Sequence, residues 1–139
     1  MTKQILVSAL WFAFACKSGI VGSSNAEMQA GEASPCLSEK EAIEQLKAIR
    51  KEIEQGEDFA KLAGIYSQDP GSSEHGGDLG WAEKGMLVSE YEVAMLALQP
   101  NGISMPVKTK FGYHLIQLME VKGDRYRSRH ILLRPCKQK

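Results

Sequence analysis

Tyr113-His114-Leu115-Ile116-Gln117-Leu118-Met119-Glu120-Val121, followed by Lys122-Gly123-Asp124-Arg125 and then Tyr126 to Leu133, decides the fold. The first segment is rich in aliphatic and aromatic residues and reads as a strand. The polar group around Gly123 reads as a turn, and Tyr126 to Leu133 as a second strand. So short a connection suits an antiparallel hairpin. Upstream, Ile103 to Val107 is short and extended, with Pro106 suiting a sheet edge because it has no amide to donate. Ser89 is expected to cap a helix carrying Tyr91, Val93, Ala94, Leu96 and Leu98, ended by Pro100-Asn101-Gly102. Gly76-Gly77-Asp78-Leu79-Gly80-Trp81 is a glycine-rich passage into an extended segment, and Gln68 to Ser73 is turn chemistry.

Two amphipathic helices come first. Ser38-Glu39-Lys40-Glu41 is a capping box, and behind it Ala42, Ile43, Leu46, Ile49 and Ile53 recur at helical spacing as far as Gly56. Asp58 opens a shorter helix with Phe59, Leu62, Ala63 and Tyr66 on its inner face. The outline α-α-β-α-β-β-β predicts an α+β domain, a small antiparallel sheet surrounded by helices.

The 139 residues suffice for one compact domain plus a tail. Lysine plus arginine (17) balances aspartate plus glutamate (17), so no global field favours a nucleic-acid partner. His75, His114 and His130 and the cysteines Cys16, Cys36 and Cys136 show no zinc-type spacing, so neither a metal nor another cofactor is expected.

Residues 1–16 carry one early lysine and then an apolar run from Ile5 to Cys16. The run is shorter than the ~20 residues a membrane-spanning helix needs, and fits the apolar region of a secretory signal within residues 1–26. Cleavage is expected at small residues such as Ser23-Ser24-Asn25-Ala26. Alternatively, Ala15-Cys16 resembles a bacterial lipoprotein site, with Cys16 acylated and the protein anchored to a membrane. The competing reading makes Gln4-Ile5-Leu6-Val7 a strand of the folded domain. Residues 27–37 read as a flexible linker, 38–136 as the domain and 137–139 as a tail.

Five segments carry a resemblance. They are Asp58-Phe59-Ala60-Lys61-Leu62-Ala63, Tyr66-Ser67-Gln68-Asp69-Pro70-Gly71-Ser72, Gly76-Gly77-Asp78-Leu79-Gly80, Lys84 to Glu92, and Pro106 to Ile116. In this order and spacing they strongly resemble the parvulin family of peptidyl-prolyl isomerases, with its FKBP-like fold. One piece is out of order. Parvulins begin with a strand of the form Arg-His-Ile-Leu, which here is Arg129-His130-Ile131-Leu132, at the far end of the chain. Two explanations compete: a circular permutation in which residues 126–135 supply the family's first strand, or a cut from a tandem-parvulin chaperone. In the family this strand and the last one are antiparallel neighbours at the sheet centre, which favours permutation. Without it the sheet would be left with two unpaired edges.

The resemblance also gives two cysteines a use. Cys136 follows the displaced strand and Cys36 precedes the first helix, two points that a short loop joins in the family. A Cys36–Cys136 disulfide would restore that link, and an exported chain meets oxidising conditions. The alternative is two unrelated thiols.

What the resemblance implies about chemistry is specific. Rotation about a prolyl amide breaks resonance, against a barrier of ~18–20 kcal/mol, but no bond is made or lost. The family's paired histidines fall on His114 and His130, and its variable cysteine-or-aspartate position on Asp69, with an electrostatic role near the carbonyl. The proline socket falls on Leu79, Leu87 and Tyr91, with Phe111 close by and Thr109 as a polar neighbour. Leu87 stands where methionine is common and Tyr91 where phenylalanine is common, swaps that keep apolar volume. Each assignment has a plain competitor: satisfied core histidines, a turn aspartate, ordinary core residues. His75 is expected in solvent and Trp81 near the site. The implied partners are unfolded or extended proline-containing polypeptides in the bacterial periplasm, bound by a monomer. The alternative function is a non-catalytic parvulin-fold chaperone. Some parvulins bind phosphorylated targets through basic residues after the first strand. Arg134, Lys137 and Lys139 are basic but lie where that loop is opened, so phosphate recognition is not expected.

Overall fold

A computed structural model of the chain describes residues 36–136. The expected signal segment, Cys16, the linker before Cys36 and the tail 137–139 lie outside the described residues. Four strands form one sheet: β1 (Asp78–Glu83), β2 (Val107–Thr109), β3 (Gly112–Lys122) and β4 (Arg125–Leu133), in the antiparallel order β1-β4-β3-β2. Three helices pack around it: α1 (Glu39–Glu54), α2 (Phe59–Tyr66) and α3 (Ser89–Leu96). A single 3-10 turn, Ser73–His75, links α2 to β1.

The hairpin is tighter than the four-residue turn expected. Lys122 and Arg125 already pair, leaving Gly123 and Asp124 as the connection. Gly123 takes a φ of +57°, a conformation that suits glycine at the first central position of a two-residue loop. The register then follows from alternation. Tyr113 pairs with Leu133 and Leu115 with Ile131 on one face, His114 with Leu132 and Ile116 with His130 on the other. Tyr113 to Leu118 are all buried, as a central strand covered on both faces must be.

One face receives α1 and α2. Ala42, Leu46 and Ile49 of α1 and Phe59, Leu62 and Ala63 of α2 join Leu115, Ile131 and Leu133 in one core, with Ile43, Ile53 and Tyr66 partly buried against it. Burial of each large apolar side chain here stabilises by roughly 1.5–3 kcal/mol. The expected caps are present. Glu41 N–H donates to Ser38 Oγ (3.2 Å) while Ser38 N–H donates to Glu41 Oε2 (2.7 Å), and Lys61 N–H donates to Asp58 Oδ1 (2.9 Å).

The other face receives α3, where two expectations need correction. Val88, not Ser89, is the N-cap, and no side chain caps this helix. Val93 is 68% exposed, whereas Met95 is buried with Tyr91, Ile116 and Leu118. Tyr91 and Met95 are one helical turn apart and share a face; Val93, two residues from each, points away.

Pro106 precedes β2, which is an edge strand as expected, and Ile103 adds one isolated bridge to Gln117. Cys36 and Cys136 meet sulfur to sulfur with Cα atoms 5.4 Å apart, and Cys136 N–H donates to Leu37 O (2.9 Å). That Cα separation lies within the range a disulfide spans.

Candidate active site

His114 on β3 and His130 on β4 are diagonal neighbours on the α3 face, because Ile116 is the residue opposite His130. Their rings stack with centroids 5.1 Å apart and Nδ1 atoms 3.0 Å apart. Asp69 is brought to them by the segment after α2, which is pinned along β4. Gln68 N–H donates to Leu132 O (2.7 Å), and Leu132 N–H donates to Ser67 Oγ (3.1 Å). On the other side Gly77 lies against the His130 backbone, accepting its N–H at 2.9 Å. With φ at +81°, Gly77 has no room for a β-carbon, which would strike the His130 carbonyl oxygen.

The polar atoms form one continuous chain. Thr109 Oγ1 lies 2.7 Å from His114 Nε2, His114 Nδ1 lies 3.0 Å from His130 Nδ1, and His130 Nε2 lies 2.9 Å from Asp69 Oδ2. Proton counting gives this chain a direction. An ionised Asp69 only accepts, so His130 donates from Nε2 and its Nδ1 is bare. His114 must then donate from Nδ1, leaving Nε2 to accept from the Thr109 hydroxyl. Thr109 Oγ1 in turn accepts Phe111 N–H at 3.1 Å. Every partner is satisfied with both imidazoles neutral.

The electrostatics agree with that count. Burial pushes the His114 pKa down to about 4. Burial also lowers that of His130, against the pull of the Asp69 hydrogen bond. For Asp69, partial burial works to raise the pKa, but hydrogen bonds from Ser72, His130 and Gly71 outweigh it and hold the carboxyl below its usual range.

Above this chain lies a cleft of about 260 Å³ lined by Leu79, Leu87, Val88, Tyr91, Phe111 and Leu132, with Asp69, both histidines and Arg134 as its polar members. Tyr91 sets its ring edge-on to His114 (5.5 Å) and His130 (5.9 Å), and its hydroxyl is 3.1 Å from Ser128 Oγ. Leu79 sits in a β-bulge of β1, where the register shifts between Asp78 and Trp81. Phe111 is half-exposed at the mouth. A wider groove of about 1000 Å³ continues from Phe111 and Arg134 along Lys108, Tyr113 and Ser38.

The structure thus gathers His114, His130, Asp69, Leu79, Leu87, Tyr91 and Phe111 at one place. Thr109, expected as a polar neighbour of the socket, lines the adjoining groove and not the cleft itself, and its hydroxyl lies 2.7 Å from His114 Nε2. Trp81 is not near the site. It lies toward the hairpin end, with Lys122 and Arg125 over its ring at 5.0 and 5.9 Å. His75 is exposed, as expected. Sequence reasoning missed Ser72, Val88, Leu132 and Ser128. Leu132 and Ser128 are each two residues from His130, and that even spacing was the available signal. Nothing in the turn sequence marks Ser72 as buried.

A four-stranded antiparallel sheet with helices on both faces, and paired histidines under an apolar cleft, is the arrangement of a parvulin-type domain. The rotamase family model, described as a PPIC-type PPIASE domain, matches residues 28–120, and the chain belongs to that family. It is 51% identical over 84 residues to "Chaperone SurA" of Methylococcus capsulatus, covering 60% of this chain and 18% of that protein. It is 49% identical over 74 residues to "Foldase protein PrsA" of Geobacillus kaustophilus, covering 53% and 26% respectively. Among solved structures, the peptidylprolyl isomerase PrsA of Bacillus cereus superposes with a TM-score of 0.55 at 44% identity, over 63% of this chain and 33% of that one. The chain therefore spans about a fifth to a quarter of the length of these curated relatives.

Proposed function

We propose that this chain is a peptidyl-prolyl cis-trans isomerase acting on unfolded or extended client polypeptides. The observation that carries the reading is the apolar cleft floored by the Thr109–His114–His130–Asp69 chain. Leu79, Leu87 and Tyr91 hold the proline ring, with Phe111 at the rim. Transfer out of water favours the less polar, twisted amide, in which resonance is lost. Asp69 presents fixed negative charge beside the rotating carbonyl, disfavouring the planar starting geometry. The two neutral histidines keep Asp69 and the cleft floor rigid, so little reorganisation is needed as the bond turns. No covalent intermediate forms. A protease-coupled tetrapeptide assay tests this: the wild type should exceed the uncatalysed rate, and Asp69→Ala should lose about tenfold or more. Wild-type protein no faster than the uncatalysed reaction overturns the catalytic reading.

A second reading, a chaperone that holds extended segments without useful catalysis, draws support from the half-exposed Phe111 and the long adjoining groove. In that case client binding survives Asp69→Ala and no rate enhancement is seen.

Export fits the apolar run from Ile5 to Cys16, and in this reading the clients lie outside the cytoplasm, in a bacterial periplasm. Acylation of Cys16 would anchor the domain to a membrane; intact mass of the mature protein tests it. The Cys36–Cys136 contact supports a disulfide. We read β4 as the family's first strand in permuted position. The family match ends at residue 120, before β4, and β4 carries Arg129-His130-Ile131-Leu132 while pairing with β3 of the same chain. Deleting 126–139 should abolish the cooperative melt, and an unchanged melt rejects the permutation.

A further inference from the structure

Ser72 lies in the turn before the 3-10 segment, yet only 2% of it is exposed. Its hydroxyl is 2.6 Å from Asp69 Oδ2 and 3.1 Å from His130 Nε2, so it sits where the carboxylate and imidazole meet. The turn backbone holds it there: Ser72 O accepts His75 N–H (2.9 Å) and Gly77 N–H (2.8 Å). Because His130 donates from Nε2, the only group left to receive the Ser72 proton is Asp69 Oδ2. The hydroxyl oxygen also shares the His130 Nε2–H. Ser72 is thereby locked as a donor, with no freedom to reverse.

Two donors, Ser72 and His130, therefore converge on Oδ2, while Oδ1 accepts only a longer bond from Gly71 N–H at 3.3 Å. A carboxylate held through one oxygen at two points cannot swing about its χ2 axis. Oδ1 is then the oxygen left for a peptide in the cleft.

We infer that Ser72 is a positioning residue for the isomerase site: its hydroxyl clamps Asp69 Oδ2 against His130 and fixes the orientation and ionised state of the Asp69 carboxylate. The inference rests on the isomerase reading for its kinetic consequence, but the clamp itself is observable without substrate.

Ser72→Ala removes the hydroxyl and keeps the turn's backbone bonds. Its kcat should fall about five- to twentyfold with KM within twofold, since the socket residues are untouched. The Asp69 carboxyl, followed by carbon NMR, should titrate higher than in the wild type, because the Ser72 hydrogen bond that helps hold it down is lost. The groups facing it from neighbouring elements are His130, His114 and Arg134. In an Asp69→Asn background, Ser72→Ala should cost no further kcat, whereas a merely structural serine would cost the same factor in both backgrounds. Equal costs in the two backgrounds, or an unmoved Asp69 titration in Ser72→Ala, overturn the inference. So does a wild-type Asp69 that titrates at or above the ordinary carboxylate range, a measurement that needs no variant to fold. A wild-type protein without isomerase activity defeats the isomerase reading but leaves these titrations to decide the clamp.

Discussion

His114 and His130 face each other Nδ1 to Nδ1 at 3.0 Å, so one proton lies between two imidazoles that both need to be neutral. Asp69, on the far side of His130, decides which ring owns it. The acid–base character of the site is thus set from a loop residue 61 positions away from the histidine it touches. Neutrality comes from burial: charging either ring would place a cation in a desolvated pair with no second carboxylate to accept its extra proton.

Acid should therefore begin to destabilise the fold just below pH 6.5, where the His114 loss sets in. Above about pH 6.5 His114 is neutral folded and unfolded. As pH falls toward about 4 the unfolded chain takes up a proton that the folded chain refuses, and stability drops by roughly 3 kcal/mol. Below that value His114 adds no further loss, while Asp69, with its lowered pKa, removes more as it protonates. Urea midpoints across pH 4–7 measure this, and imidazole NMR should show neither buried histidine titrating near 6.5. Titration of both at that value would refute the buried neutral pair.

Gly77→Ala should be among the most damaging single substitutions. The added methyl meets the His130 carbonyl and the residue must also hold a φ of +81°. A loss on the order of 2–4 kcal/mol is expected, with isomerase activity falling because His130 moves. Gly80→Ala, at φ +73° but with open space around it, should cost less. Thermal melts of the pair make the comparison, and equal losses would remove steric contact with His130 as the cause.

Tyr91→Phe separates packing from polarity. The ring and its edge-on contacts with the histidines remain, but buried Ser128 loses its hydroxyl partner. Stability should fall by about 1–2 kcal/mol while kcat/KM stays within about threefold. A large loss of activity at unchanged stability would mean that the hydroxyl acts on substrate.

Breaking the cysteine pair should weaken the whole domain. A link spanning 100 residues restricts the unfolded chain strongly, and the double variant Cys36→Ser with Cys136→Ser should lose roughly 2–4 kcal/mol. Thiol counting in oxidising buffer gives the direct check: two free thiols at these positions, or a melt insensitive to reductant, would exclude the bond.

The strands, the two capped helices, the hairpin and the family were all legible along the chain. Each rests on local rules: alternation along Tyr113–Val121, the Ser38–Glu41 capping box, a glycine at the turn, motifs in fixed order. The sequence also named His114, His130, Asp69 and the socket through that resemblance. What depends on neighbours from distant parts of the chain emerged only in the fold. Met95 rather than Val93 faces the sheet because one helical turn from Tyr91 is the buried side. Trp81 lies by the hairpin end because its strand pairs with Arg127, away from the cleft. Ser72 reads as an ordinary turn residue, and only the folding of that turn against β4, 58 residues on, buries its hydroxyl between Asp69 and His130. Local propensity carries no information about such a meeting; burial and hydrogen-bond partners arise only when separate elements close over one another.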